Sequence, residues 1–213
     1  MAETQLLSVK KLKSLDILKN CLKHNLRQIP RELGENRHID PTRCKLNQNL
    51  VGGSDPSSMV NEVAAKIVAA TGKKLRRNGV LALEYLISLR PNTTVDINGY
   101  FPEVVEWLED YLGCPIISAV VHLDESSPHI HVIILPLRNG RMTGSALVGF
   151  KGDLAALKLS HYKCVGQRFG LTMTESIPRF KRYEISCKVV DALIDKLDAV
   201  LDSVDLEKII NLK

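Results

Sequence analysis

The sequence has no apolar run approaching the roughly 20 residues needed to cross a bilayer, so no transmembrane segment is expected. Its first residues, MAETQLLSVKKLKSLD, have neither a long apolar core nor a small-residue cleavage site, and no secretory signal is expected there. It also lacks a CxxC pair. Its five cysteines, Cys21, Cys44, Cys114, Cys164 and Cys187, are scattered and odd in number. That argues against a disulfide framework or a zinc ribbon and for reduced thiols in a cytosolic compartment. Internal repeats and low-complexity segments are absent as well.

The 213 residues suffice for one domain with a real core, or for such a domain plus a short appendage. The net charge of +5 is unevenly placed. Lys10, Lys11, Lys13, Lys19, Lys23, Arg27, Arg31, Arg37 and Arg43 precede a KKLRR run at 73–77, whereas the segment from Asp191 is mildly acidic. A basic first half suits a nucleic-acid-binding face, although charge alone suits a solvated lysine-rich surface equally well.

Periodicity predicts a short strand over 6–12 and a helix capped by Ser14 that runs to about Arg27, with Pro30 and Gly34 ending it. Residues 34–56 read as loop, and Ser57 or Ser58 is expected to cap a helix to Thr71 that Gly72 stops. A strand is expected within 79–90. One of its faces is Leu81, Leu83, Tyr85, Ile87 and Leu89; the other is Val80, Ala82, Glu84, Leu86 and Ser88. A helix follows from about Phe101 to Leu112. Then come two strands joined by a turn over 124–128, an Asn139-Gly140 turn, and a helical segment over 153–169 closed by Gly170. From 185 to 204, Val190, Leu193, Leu197, Val200 and Val204 form a heptad-like stripe, read as a helix packing on the domain rather than a self-associating coil. The fold class is α+β, an antiparallel sheet with helices on one face.

The stretch VVHLDESSPHIHVIILPL, Val120 to Leu137, raises the sharpest chemical question. His129 and His131 are two residues apart, so on a strand both leave one face, and His122 sits on the strand before. If the strands pair there, the imidazoles converge on a point where a divalent ion could take three nitrogens and keep positions open. Asp124 is expected to be an exposed turn acid. Glu125 is open between a fourth ligand, an acceptor that orients an imidazole and a solvated acid, with the orienting role preferred.

HLDESSPHIHVIILPL closely resembles the HxDExxPHxH motif of the Mob/Pre plasmid mobilisation relaxases, the MobV class. KHNLR at 23–27 resembles that family's first motif, HIDPTRCKLNQNL at 38–50 its second, and RRNGVLALEYLISL at 76–89 the segment that follows. The likeness spans roughly residues 5–172. It implies an HUH-endonuclease-like relaxase fold over residues 1–175, with 176–213 as a C-terminal helical extension, the start of a dimerisation region. It also implies a bacterial cytoplasmic enzyme that nicks one strand of single-stranded or hairpin origin-of-transfer DNA and joins covalently to the 5′ phosphate.

The resemblance maps the nucleophile to His24, the ligands to His122, His129 and His131, and the ion to Mn²⁺, with Mg²⁺, Zn²⁺, Co²⁺ and Ni²⁺ as alternatives. Imidazole is a competent nucleophile near neutral pH. Glu84 stands where a carboxylate could support the His24 ring. Arg27, three residues beyond His24 and on the same helical face, could clamp the phosphate, and Arg43, Lys73 and Arg76 are expected on the DNA backbone. Gln48 replaces the tyrosine of the family's second motif and His38 its leading asparagine, which bears on substrate preference. Among the tyrosines only Tyr85 has any claim as nucleophile, and alternation points it away from Glu84. A hydrolytic nuclease with no covalent intermediate, or a non-catalytic DNA-binding accessory, are the alternative functions.

Overall fold

The computed structural model describes residues 3–33, 38–72, 79–149, 151–173 and 179–203. The chain divides into two units, Met1–Met173 and Thr174–Lys213. In the first, the strands β1 (Gln5–Leu12), β2 (Gln48–Val51), β3 (Ala82–Leu89), β4 (Ile116–His122) and β5 (His129–Ile134) make one sheet in the order β1-β3-β5-β4-β2. Every neighbouring pair is antiparallel. β2 lies within the 34–56 stretch that reads as loop. It has four residues and a register shift after Asn49, too short for a visible alternation.

Helices cover both faces of the sheet, not one. β5 is central and all six of its residues are buried, so its apolar positions need cover on either side. On one face, Ile130, Val132 and Ile134 join Tyr85, Ile87, Ala119 and Val121 beneath α3 (Ile97–Leu112) and α5 (Lys151–Cys164). On the other, Ile133, Ala82 and Leu12 pack under α1 (Leu15–Asn25) and α2 (Pro56–Thr71). Burial on this scale stabilises by about 25 cal/mol for each Å² of apolar surface removed from water.

Local chemistry sets the element ends. Ser14 accepts from the Ile17 amide and starts α1. Asp55, not Ser57 or Ser58, caps α2, taking both of their amides with Pro56 at the first helical position. α3 begins at Ile97 under an Asp96 cap, four residues ahead of the expected start, and continues through Pro102. The turn at Asn139 and Gly140 joins the two-residue strands β6 (Leu137–Arg138) and β7 (Arg141–Met142), both turn residues having positive φ. A one-turn helix, α4 (Gly144–Val148), precedes α5, and a 3₁₀ turn over Gly166–Phe169 ends at Gly170.

In the second unit the described residues form α6, Arg179–Ser203. Of the heptad-like stripe, Val190, Leu193 and Leu197 are each at least half exposed, and Val204 lies outside the described residues.

Candidate metal and strand-transfer site

The β4–β5 hairpin aligns His122 directly opposite His129, and His131 follows on the same face. All three rings are buried, and one donor atom from each lies within 4.8 Å of the others. Each ring commits one nitrogen to an oxygen acceptor. His122 Nε2 donates to the Asn25 carbonyl at 2.8 Å, His129 Nδ1 to the Ser127 carbonyl at 2.8 Å, and His131 Nδ1 to Glu84 Oε1 at 2.8 Å. Those bonds fix the tautomers. They leave His122 Nδ1, His129 Nε2 and His131 Nε2 as bare lone pairs.

Two lone pairs cannot hydrogen-bond to each other, yet His122 Nδ1 and His129 Nε2 are 3.2 Å apart. That is about the spacing of two nitrogens around one ion at about 2.1 Å. Burial pushes the His122 and His129 imidazoles towards neutrality, and the nearby His131 and Arg27 reinforce this, which is the protonation state a ligand needs. The residues therefore fit a divalent cation.

The acceptors are equally specific. Burial would raise the Glu84 carboxyl, but the hydrogen bond and charge of His131, with Cys21 and Lys10, pull it down to about 2. Lys10 Nζ is 3.6 Å from Glu84 Oε2. Glu84 is thus the partner of His131 rather than of His24, which corrects the role expected of it. Strand register explains why: Glu84 faces Ile133 directly and reaches diagonally to His131.

His24 lies at the C-terminal end of α1, about a third exposed. Its ring centroid is 5.6 Å from that of His131 and 6.1 Å from that of His122. Its Nδ1 is 2.7 Å from Glu32 Oε2. Two clefts of about 610 and 620 Å³ share His24, Arg31, Glu32 and His131 in their walls. Lys10, Asn20, Lys23 and Gln28 line one; Ser88, Ser126, Ser127 and His129 line the other.

Arg27 is not on the helix. α1 closes in a Schellman motif: the Gln28 amide donates to the Lys23 carbonyl at 2.7 Å and the Arg27 amide to that of His24 at 3.0 Å. Arg27 takes the left-handed position with φ 56°, where glycine is usual. Its guanidinium is held by Asp124, through Nε at 2.8 Å and Nη2 at 2.6 Å, and by Glu125 at 2.7 Å. Nη1 stays buried without a partner.

Asp124 is fully buried, not the exposed turn acid that its place between two strands suggests. Burial raises its carboxyl, but bonds from Arg27, Asn47 and Cys44 hold it well below the usual carboxylate range. Asn47 uses both ends of its amide, accepting from the Leu123 amide at 2.8 Å and donating to Asp124 Oδ2 at 2.7 Å. Glu125 Oε1 also approaches His129 Nε2, at 3.8 Å. Arg43 donates to the carbonyls of Leu123 and Glu125, so its head group ties the 38–50 segment to the hairpin turn instead of standing free for a phosphate. Lys73 and Arg76 lie outside the described residues. The sequence reading missed Glu32 and Asn47. Asn47 lies inside the quoted second motif; Glu32 carries no motif signal.

Residues 1–178 match the family model described as plasmid recombination enzyme. A "65 kDa protein" of Zymomonas mobilis is 31% identical over 60% of this chain and 23% of its own length. A plasmid recombination enzyme type 3 of Staphylococcus aureus is 31% identical over 67% of this chain and 37% of its own. The chain thus spans about a quarter to a little over a third of these relatives. Among solved structures, the MobM relaxase domain bound to origin-of-transfer DNA of plasmid pMV158, with Mn, is 24% identical at a TM-score of 0.67. It covers 84% of this chain and 99% of that one, and the likeness is one of fold.

Proposed function

The chain belongs to the plasmid recombination enzyme family, Mob/Pre, and from that premise we propose that it is a divalent-metal-dependent relaxase of the bacterial cytoplasm. It nicks single-stranded or hairpin origin-of-transfer DNA and joins to the 5′ phosphate through His24. The observation that carries this reading is the His24 ring standing 5.6 Å from His131 and 6.1 Å from His122, beside the three converging imidazoles of the hairpin.

Bound at His122, His129 and His131, a divalent cation, Mn²⁺ by preference, supplies Lewis-acid charge against the oxygens of the scissile phosphate. The chain's own groups do the rest. His24 Nε2 directs its lone pair at phosphorus. The N–P bond forms as the P–O3′ bond breaks, and the electron pair leaves on the 3′ oxygen, which takes a proton from water. The phosphoramidate keeps the strand activated for rejoining. Arg27, its head group locked to Asp124 and Glu125, holds the hairpin turn beside the histidines. Lys10, Lys23 and Arg31 in the cleft walls neutralise backbone phosphates, so binding weakens as salt rises. Residues 1–175 form the nicking domain, and 176–213 an extension whose open apolar stripe serves self-association.

The test incubates the protein and Mn²⁺ with a labelled single-stranded origin oligonucleotide, followed by denaturing gels with and without protease. A protease-sensitive, acid-labile and alkali-stable adduct absent in His24→Ala is expected. Cleavage without an adduct would replace the reading with that of a hydrolytic nuclease.

A further inference from the structure

A neutral imidazole attacks through one nitrogen only while the other holds the proton. We infer that Glu32 makes that choice for His24, acting as its positioning residue; the inference rests on His24 being the nucleophile. A carboxylate only accepts, so the 2.7 Å contact from Glu32 Oε2 puts the hydrogen on Nδ1 and leaves Nε2 bare. Nε2 has no hydrogen-bond partner among the described residues.

Other carboxylates around the site are committed elsewhere. Glu84 is bonded to His131, Asp124 to Arg27, Asn47 and Cys44, and Glu125 to Arg27. Glu32 is brought to His24 by the chain reversal that follows α1. The left-handed Arg27 turns the backbone, and Gln28 Nε2 pins it to the Ser54 carbonyl at 2.8 Å. Pro30 opens a 3₁₀ turn over Pro30–Glu32, and Leu33 bridges to Ile39 on its far side. Glu32 therefore projects back over the end of α1 and lines both clefts that meet at His24.

As the Nε2–P bond forms and P–O3′ breaks, positive charge develops on the ring. Glu32 faces the Nδ1–H that carries it, and the carbonyl end of α1 adds a favourable dipole. In the rejoining direction the 3′ hydroxyl gives its proton to water as its oxygen attacks phosphorus, and Nε2 departs with the N–P electron pair, the ring's own proton still on Nδ1.

The experiment compares wild type, Glu32→Ala and Glu32→Gln in single-turnover adduct formation with Mn²⁺ and the origin oligonucleotide, alongside His24→Ala. Glu32→Ala is expected to slow the step about 100-fold, with oligonucleotide affinity kept within about twofold. Glu32→Gln, which keeps an acceptor oxygen without the charge, is expected to recover part of the loss. Equal rates in wild type and Glu32→Ala, or a loss that appears only as weaker DNA binding, overturn the inference. Absence of an adduct in wild type would sink the nucleophile assignment instead. The tautomer is then read directly by ¹⁵N NMR of histidine-labelled protein, His24→Ala identifying the signal. A His24 Nδ1–H that gives way in Glu32→Ala supports the positioning role, and a ring protonated on Nε2 in wild type overturns it.

Discussion

The guanidinium of Arg27 grips the carboxylate of Asp124 in a two-pronged contact, Nε to Oδ2 at 2.8 Å and Nη2 to Oδ1 at 2.6 Å, across 97 residues of sequence. Both side chains are almost fully removed from water. Removing one partner strands the other charge in the interior, so Arg27→Ala is expected to cost about 3–5 kcal/mol in urea unfolding. Arg27 also sits at φ 56°, a strained position for any residue with a Cβ. Arg27→Gly loses the same ion pair but not that strain, and is expected to be about 1 kcal/mol more stable than Arg27→Ala. Two variants as stable as wild type would show that the pair contributes nothing net.

Glu84 accepts from Nδ1 of the His131 ring, the nitrogen opposite the one proposed to hold the metal. Such partners typically shift metal affinity by about 10–100-fold. Titration calorimetry with Mn²⁺ is expected to show a loss of that size in Glu84→Ala and a smaller one in Glu84→Gln, whose amide oxygen still accepts from Nδ1. Unchanged affinity in Glu84→Ala would mean that His131 is oriented by packing alone.

The histidine hairpin was legible in the sequence because a period of two is unambiguous once a strand is granted. His129 and His131 share a face wherever the strand begins, and pairing with His122 needs only a short turn. The core faces of β3 and the Ser14 cap were legible for the same local reason. Asp124 was not, because its burial depends on Arg27 from a distant helix end, and nothing local marks a turn acid as buried. Glu32 was not, because its approach to His24 requires a left-handed residue at 27, where the sequence has arginine rather than the glycine that signals such a turn. Cover on both faces of the sheet was the remaining surprise. A continuous apolar strand says that both sides are buried without saying by which helices.

The proposed ligand histidines and the proposed nucleophile should separate in a stability measurement. A ligand that binds the folded chain alone stabilises it by about 2.7 kcal/mol at one hundred times its Kd. Mn²⁺ is therefore expected to raise the thermal midpoint of wild type, and chelation to reverse the rise. His129→Ala should abolish the shift, since it removes one of three converging lone pairs. His24→Ala should retain it, because the three converging donor nitrogens belong to His122, His129 and His131. Loss of the shift in His24→Ala would make that residue a fourth ligand and remove it as nucleophile.

His161 gives the protein an acid sensitivity that is independent of the histidine hairpin. It is fully buried on α5, tilted against the Trp107 ring at a centroid distance of 4.8 Å. Tyr100 donates its hydroxyl hydrogen to Gln5, so the His161 Nε2–H donates to that hydroxyl oxygen at 3.3 Å, and Nδ1 is left without a partner. Burial lowers the imidazole from its ordinary 6.5 to about 4. The folded chain therefore keeps this ring neutral across a range in which the unfolded chain protonates it. Between those two values the unfolded state binds more protons, and stability rises with pH; above about pH 7 the group contributes no slope. Acidification from pH 7 to 4 should then cost wild type about 3 kcal/mol through this group. His161→Gln can still donate to Tyr100 but cannot titrate, so its urea stability should fall less steeply over the same interval by about that amount. Each variant is compared with itself across pH, which removes any constant packing penalty and the shared contribution of the hairpin histidines. Parallel curves for the two proteins would mean that His161 accepts its proton without unfolding cost, through water reaching Nδ1.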